Sequence, residues 1–305
     1  MSEIEPTSAM MAILLRLAEE DGDLPDPTTL PSAEGRALAA RTNVRWNRNL
    51  PDMASVRRLA LAGLDAAEFT PPNDEERGAI LYIHGGGWAF CSKETHERCT
   101  RALAVAAAAP VVSIDYRLAP EAPFPAGLED CVAGWDAFAA AYEGRALAIA
   151  GDSAGANLAL AVMLNKPRAM PATGLLFYGV YGADFASPSY TTYRDGPGLT
   201  RAKMQRFFDW YVPLAARANP LVCPLEASDA ALAALPPLLV NAAGIDPLRS
   251  DTERLAERLA GLGRADTVLT YEGVVHGFMQ MSELLPEARE AIADAGRVFR
   301  ATITT

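Results

Sequence analysis

The sequence predicts an α/β fold built on a mostly parallel sheet, and three observations support this prediction. Short apolar runs alternate with stretches of helical character from about residue 55 onward. These runs are apolar throughout, which is typical of strands buried on both faces of a sheet. The chain has 305 residues, half of them hydrophobic, so it can bury one sizeable core and form a single large domain.

Six segments predict strands, and five predict the helices that separate and follow them. The predicted strands are 79–84, 110–116, 146–150, 174–181, 237–243 and 266–272. The predicted helices are 95–109, 127–142, 154–166, 250–263 and 286–300. This order is typical of parallel strands connected by helices.

Two segments fall outside the alternation. Residues 1–50 are helical in character, because Met10, Ile13, Leu14 and Leu17 recur with the period of one helix face. Residues 185–215 predict a loop and then a helix, on which one face carries Met204, Phe207, Phe208 and Tyr211. That face fits a core-facing helix or part of a lid whose aromatic side chains face a bound molecule.

The charge and the apolar runs favour a protein that binds neither nucleic acid nor a membrane. Asp and Glu outnumber Lys and Arg by 38 to 27, and the net charge of -11 repels polyanions. The amino-terminal apolar run is short and lacks a basic start, unlike a secretory signal. The longest weakly polar run, 102–114, contains Pro110 and is too short to span a bilayer. We therefore expect a cytoplasmic protein.

The cysteines and histidines do not suggest a metal site. Cys91, Cys99, Cys131 and Cys223 form no CxxC pair, and three histidines are few for a metal cluster. Free thiols in a reducing compartment are expected, with a Cys91–Cys99 pair as the alternative. No metal and no cofactor are predicted.

The run Gly151-Asp152-Ser153-Ala154-Gly155 follows a predicted strand and opens a predicted helix. Close packing alone is one explanation for its small residues. The other is a nucleophilic serine on a strained strand-to-helix turn, where larger neighbours would clash with the facing strand and helix. The start of the helix also favours developing negative charge. The G-x-S-x-G spacing therefore indicates Ser153 as a nucleophile.

A serine nucleophile needs a base, and the chain offers three histidines. His84 precedes three glycines, and His96 lies in the polar stretch KETHERC, where a solvated residue is expected. His276 lies between the strand 266–272 and the last helix, which suits a base. Its alternative is an ordinary loop histidine.

The acid that orients the base is expected between Ser153 and His276. Asp246 directly follows the strand 237–243, and in a parallel sheet that position lies at the same edge as the serine and the histidine. Asp251 and Glu272 are the competing carboxylates. Asp251 is expected in the first turn of the next helix, and Glu272 at the end of a strand.

The stretch His84-Gly85-Gly86-Gly87-Trp88 follows the strand 79–84. Consecutive glycines let backbone N–H groups approach a ligand, which suits an oxyanion hole completed by the N–H of Ala154. A flexible turn or a phosphate loop is the alternative. The chain has no GxGxxG and no Gly-Lys-Ser/Thr after these glycines, which disfavours nucleotide binding.

Five motifs occur in one order: HGGGW at 84–88, DYRLAPE at 115–121, GDSAGAN at 151–157, DPLRSD at 246–251 and VVHGF at 274–278. Together they resemble the hormone-sensitive-lipase-like carboxylesterases, also called bacterial family IV, of the α/β-hydrolase superfamily. The resemblance covers roughly 75–305. It implies an α/β-hydrolase fold with eight strands and a helical cap. The implied divisions are cap residues 1–50, core residues 51–184, a cap insertion 185–215 and core residues 216–305.

Carried over by position, the resemblance implies a role for each matching residue. The implied triad is Ser153, Asp246 and His276. The implied oxyanion hole is Gly85, Gly86 and Ala154, with support from His84, Gly87 and Asp152. The implied substrate contacts are Trp88, Tyr190, Phe207, Phe208 and Tyr211.

The expected activity is hydrolysis of short- to medium-chain carboxylic esters through an acyl-enzyme, with a small-molecule ester as substrate. Hydrolysis of amides or lactones uses the same machinery and stays open. A non-catalytic ligand-binding member of the fold is a further alternative, which the presence of His276 and Asp246 disfavours. A homodimer is possible on the same resemblance.

Overall fold

An eight-stranded sheet runs through the computed structural model, which describes residues 3–303. Its strands are β1 (Ser55–Leu61), β2 (Leu64–Thr70), β3 (Gly78–Ile83), β4 (Val111–Ile114), β5 (Ala146–Asp152), β6 (Thr173–Phe177), β7 (Leu238–Ile245) and β8 (Thr267–Val275). Their order across the sheet is β1-β2-β4-β3-β5-β6-β7-β8. β2 pairs antiparallel with β1 and β4, whereas the other neighbouring pairs are parallel. The predicted mostly parallel sheet is confirmed.

Helices pack on both faces and above one edge of the sheet. Within residues 3–303 the α-helices are α1 (Ser8–Asp21), α2 (Ser32–Asn43), α3 (Glu97–Ala107), α4 (Ala126–Ala141), α5 (Ala154–Leu164), α6 (Pro188–Thr192), α7 (Arg201–Tyr211), α8 (Asp229–Ala233), α9 (Arg249–Gly261) and α10 (Pro286–Ile303). None of them is both long and apolar enough to cross a lipid bilayer.

The central strand β3 shows why the sheet is covered on both faces. Leu81 and Ile83 belong to the core beneath α4, α5 and α9, whereas Ile80 and Tyr82 belong to the core beneath α3 and α10. All four side chains are fully buried. Since successive side chains of a strand point to opposite faces, an apolar residue is required at every position.

Two strands were not predicted from the sequence, and a third was predicted too long. The hairpin β1–β2 carries no apolar run, because most of β1 is exposed at the edge of the sheet. The strand predicted at 174–181 ends at Phe177, since Tyr178 has a φ of 37° and turns the chain away from the sheet.

Four loops leave the same edge of the sheet. They follow β3, β5, β7 and β8, which are mutually parallel, so their carboxyl ends point the same way. These loops carry the motifs at 84–88, 151–155, 246–251 and 274–278. The topology therefore brings together segments that lie up to about 190 residues apart in the sequence.

The two segments outside the alternation approach this edge from above. The N–H of Thr7, which precedes α1, donates to the carbonyl of Gly273 in β8. From α2, the Arg36 guanidinium donates to the carbonyl of Ala89 at 2.8 Å, just after the glycine loop. Lys203 of α7 lies 3.6 Å from Asp26, which links the two segments. Their treatment as one cap stays a prediction.

Candidate active site

Ser153 stands on a strained turn between β5 and α5. Its φ is 53° and its ψ is -119°, a conformation that L-residues rarely adopt. A Cβ at Gly151 would overlap the carbonyl of Gly155, and a Cβ at Gly155 would overlap the carbonyl of Ile83. Both glycines are thus required by the close approach of helix and strand. The predicted reason for the G-x-S-x-G spacing matches this geometry.

The structure brings Ser153, His276 and Asp246 together. His276 Nε2 lies 2.9 Å from Ser153 Oγ, and His276 Nδ1 lies 2.7 Å from Asp246 Oδ2. Asp246 is completely buried, and its second oxygen accepts the N–H of Leu248 at 2.9 Å. A carboxylate fixed in this way holds Nδ1–H of the imidazole, which leaves Nε2 free to accept the serine proton.

The two competing carboxylates lie elsewhere. Asp251 occupies the first turn of α9, as expected, and accepts the N–H groups of Tyr181 and Gly182 at 2.9 and 2.8 Å. Burial raises the pKa of Asp251 to about 7. Glu272 pairs with Arg249 at 3.0 Å. Neither is a hydrogen-bond partner of His276.

The backbone around the glycine loop corrects one predicted residue. The N–H of Gly85 donates to Asp152 Oδ1 at 3.0 Å, so Gly85 is not a free oxyanion donor. Gly86 and Gly87 instead border the cavity beside Ser153, with φ values of 109° and 60°. Within residues 3–303, no acceptor is bonded to either N–H. The N–H of Gly87, predicted only as a support, is therefore better placed than that of Gly85 to serve as an oxyanion donor.

Ala154 supplies the third N–H at this point. It is the first residue of α5, where backbone N–H groups have no intrahelical acceptor. The end of a helix also carries partial positive charge. Gly86 and Gly87 border the cavity beside Ser153, and Ala154 directly follows Ser153 at the start of α5, so their N–H groups are candidates for binding a developing oxyanion.

His84 and Asp152, predicted as supports, both contact the backbone of Gly85. The ring of His84 stacks on Tyr116 with centroids 4.5 Å apart, and its Nδ1 lies 2.8 Å from the carbonyl of Gly85. Burial, followed by the nearby His96 ring, lowers the pKa of His84 to about 4, so the ring of His84 is neutral near pH 7. Neutral Nδ1–H therefore donates to Gly85. Tyr116 donates its hydroxyl to the carbonyl of His84 at 3.0 Å.

The expectation of a solvated His96 is wrong. The residue caps α3 and is only 1% exposed. Its ring borders the same cavity as Ser153 and lies 3.3 Å from Asp152. The polar neighbours in KETHERC concealed this position, because the burial arises from contacts with distant strands. Sequence reasoning also missed Gln280, which borders the cavity four residues after His276.

The cavity above Ser153 measures about 160 Å³. Its apolar walls come from Cys91, Leu199, Met204 and Phe207. A Cβ at Gly87 would overlap the ring of Phe207, so the ring lies directly against the glycine loop. Of the five predicted substrate contacts, Phe207 borders this cavity.

The other four predicted contacts belong to the core. Trp88 stacks on Tyr211 with centroids 4.3 Å apart, and Phe208 packs edge-on against Trp88. Tyr190 is fully buried against Phe185. The aromatic face of α7 is therefore divided. Phe207 and Met204 meet the cavity, while the remaining rings anchor the helix to the core.

One carboxylate cluster within residues 3–303 has the spacing of a cation site. It consists of Asp65, Glu94 and Asp115. The ammonium of Lys93 lies between them, at 2.7, 2.9 and 2.6 Å respectively. The lysine thus already supplies the positive charge that these carboxylates require. All four cysteines of the chain are free.

The fold and the site define the chain as an α/β hydrolase, in which a serine projects from a strand–turn–helix at the edge of a parallel sheet. A family model of the alpha/beta hydrolase fold matches residues 80–280. The chain belongs to this family, in its hormone-sensitive-lipase-like group, and is a carboxylic ester hydrolase.

Known relatives share most of the chain. The carboxylesterase NlhH of Mycobacterium tuberculosis is 35% identical over 285 residues, which cover 87% of this chain and 89% of that protein. The esterase LipI of the same species is 37% identical over 231 residues, covering 73% and 72%. The hyperthermophilic esterase of the archaeon Pyrobaculum calidifontis superposes with a TM-score of 0.90 at 29% identity, covering 99% and 100%. An ester hydrolase from the Lake Arreo metagenome, solved with a bipyridine phosphonate derivative, superposes with a TM-score of 0.90 at 32% identity. The superposition covers 98% of this chain and 100% of that one.

The close approach at Gly155 predicts that Gly155→Ala disrupts the site. The added methyl must displace the end of β3 or the start of α5, because it overlaps backbone rather than a movable side chain. We expect a loss of about 3 kcal/mol in unfolding free energy or failure to fold, and severe loss of esterase activity. Denaturant unfolding and an ester assay measure the two effects.

Gly261→Ala is the matched control, since a Cβ at this helical glycine meets no atom within 4 Å. It is expected to leave activity unchanged and stability equal or slightly higher. Equal behaviour of the two alanine variants would contradict the role assigned to Gly155.

Proposed function

We propose that the protein is a serine carboxylesterase that hydrolyses short- to medium-chain esters through an acyl-enzyme. The observation that carries this proposal is the position of His276 between Ser153 and Asp246, within hydrogen-bond distance of both. A serine so placed can lose its proton as it attacks an ester carbonyl. Family membership and the names of the relatives support the choice of an ester as the substrate.

The reaction proceeds in two halves. Ser153 Oγ attacks the carbonyl carbon, its proton passes to His276 Nε2, and the carbonyl oxygen becomes an oxyanion. The N–H groups of Gly86, Gly87 and Ala154 bind this charge. The tetrahedral intermediate collapses, the protonated His276 gives its proton to the leaving alkoxide, and an alcohol departs. Water, activated by His276, then attacks the acyl-enzyme and releases the acid.

Amide or lactone hydrolysis remains the second candidate, because the same machinery serves all acyl groups. Comparison of kcat/KM for an aryl ester, its matched anilide and a lactone distinguishes the three activities. A non-catalytic ligand-binding protein is disfavoured, since the base and the acid are both present and joined. Action in the cytoplasm suits four free thiols. That location, like a homodimer, stays a prediction.

Ser153→Ala is expected to lower kcat on a short aryl ester by about 10⁴-fold or more, because the nucleophile is lost. Steady-state kinetics with the purified protein measure this effect. Ser282→Ala is the control, since the buried Ser282 hydroxyl has no hydrogen-bond partner and should leave kcat unchanged. Substantial residual activity in Ser153→Ala would refute the assignment.

The position of Phe207 predicts acyl-length preference. Phe207→Ala removes the ring that lies against Gly87 and enlarges the cavity, so longer acyl chains gain space. We expect the ratio of kcat/KM for an aryl octanoate to that for an aryl acetate to rise by about tenfold.

Arg206→Ala on the same helix is the control. Arg206 is exposed and stacks on Trp210, with its guanidinium carbon 4.6 Å from the ring centre. In Arg206→Ala, the ratio of kcat/KM for the octanoate to that for the acetate should stay at the wild-type value. An unchanged ratio in Phe207→Ala would show that the ring does not limit the acyl chain.

A further inference from the structure

Two buried serines join residues 185–215 to the loop that carries Asp246. Ser189 lies in α6 and is fully buried, and Ser250, in the first turn of α9, is 3% exposed. The N–H of Ser189 donates to Ser250 Oγ at 3.1 Å, and the N–H of Ser250 donates to Ser189 Oγ at 3.0 Å. Each side chain therefore binds the backbone of the other residue, although the two lie 61 positions apart in the sequence.

The chemistry of its partners fixes the direction of the Ser189 hydroxyl. A backbone N–H can only donate, so Ser189 Oγ accepts from Ser250. A carbonyl oxygen can only accept, so the hydroxyl donates its proton to the carbonyl of Pro247, 2.5 Å away. Pro247 directly follows Asp246 in the chain. None of these donors and acceptors titrates near neutral pH, so the directions hold at the pH of an ester assay.

The carbonyl of Pro247 and the N–H of Leu248 belong to one peptide group. The N–H end of this group donates to Asp246 Oδ1 at 2.9 Å. A peptide group is planar and rigid, so a hydrogen bond at its carbonyl end also restricts where its N–H points. Ser189 therefore reaches the Asp246 carboxylate through a single rigid group.

The Asp246 carboxylate depends on this N–H for its orientation. Within residues 3–303 its side chain has two hydrogen-bond partners, the N–H of Leu248 and His276 Nδ1. Asp246 is completely buried, so water cannot replace a bond that is lost. If the Leu248 N–H turned away, the contact with His276 alone would hold the carboxylate.

The packing of α6 keeps Ser189 in place. The adjacent Tyr190 is fully buried and packs edge-on against Phe185, with ring centroids 5.3 Å apart. Phe185 packs edge-on in turn against Phe208 of α7, at 5.5 Å. Tyr190, predicted as a substrate contact, thus anchors the helix that carries Ser189. Residues 185–215 therefore border the cavity through α7 and hold the loop of the acid through α6.

We propose that Ser189 is a positioning residue for the acid of the triad: its hydroxyl fixes the peptide group 247–248, whose N–H holds the Asp246 carboxylate toward the imidazole. Ser189 contacts none of the reacting atoms, so it acts only through this peptide group. The inference rests on the proposed function and adds to it a dependence of the triad on residues 185–215.

Ser189→Ala is expected to lower kcat on a short aryl ester about tenfold, with KM changed less than about threefold, because a loosened acid holds the base less well in the transition state. Ser250→Ala is the matched control. It removes the other hydroxyl but keeps the bonds from the Ser250 N–H to Ser189 and from Ser189 to Pro247. Its kcat should stay within about twofold of wild type, while both variants lower the melting temperature.

A merely structural pair of serines gives a different pattern. Equal kcat in Ser189→Ala and Ser250→Ala, whether both match wild type or both are impaired, would overturn the inference. If Ser189→Ala does not fold, Ser189→Cys replaces it, because the S–H group is a weak donor on a side chain of similar shape. Its kcat should fall about threefold, and a wild-type kcat in that variant would overturn the inference.

Proton NMR measures the contact between acid and base directly. The proton on His276 Nδ1 faces a buried carboxylate at 2.7 Å, so it should give a far-downfield signal that is lost in His276→Gln. In Ser189→Ala this signal is expected to move or broaden, and in Ser250→Ala to keep its wild-type position. An unmoved signal in Ser189→Ala would overturn the inference.

The two proposals fail in different ways. Activity that survives Ser153→Ala would refute the proposed function. Equal behaviour of Ser189→Ala and Ser250→Ala, in a protein whose activity depends fully on Ser153, would refute only the role of Ser189.

Discussion

The contact between the first turn of α5 and the end of β3 is the constraint on which the site depends. At Gly155 the helix backbone approaches the carbonyls of Ile83 and His84 so closely that a side chain has no room. Ser153 adopts a positive φ at this turn, and the glycine loop begins where β3 ends. One backbone contact therefore fixes Ser153 and the glycine loop relative to each other, before any side chain contributes.

Two buried carboxylates flank this turn, and each is joined to a histidine. Asp246 bonds His276, whose second nitrogen reaches Ser153. Asp152 contacts His96, whose second nitrogen faces Thr95 and Ser92 rather than the reacting atoms. The same carboxylate–imidazole pair therefore occurs in two different environments. The first pair is proposed to transfer a proton, whereas the second holds the start of the glycine loop through the N–H of Gly85.

The sequence predicted the parts of this site that recur with strict spacing. G-x-S-x-G and the order of serine, acid and histidine predicted Ser153, Asp246 and His276, and the apolar runs predicted the parallel strands. The sequence could not predict that Gly85 donates to Asp152, because that bond joins residues 67 positions apart. His96 and the division of α7 between cavity and core depend in the same way on packing between distant elements. The edge strand β1, which is mostly exposed, lacked the apolar pattern that identifies strands.

Covalent labelling tests the central claim, that the strained turn makes Ser153 the uniquely activated serine, most directly. The intact protein is treated with an aryl fluorophosphonate, which reacts only with activated serines, and the adduct is located by peptide mass spectrometry. One adduct per chain, on the peptide that contains Ser153, accompanied by complete loss of ester hydrolysis, is the predicted result. An adduct on another serine, or full activity in protein labelled at Ser153, would contradict the account.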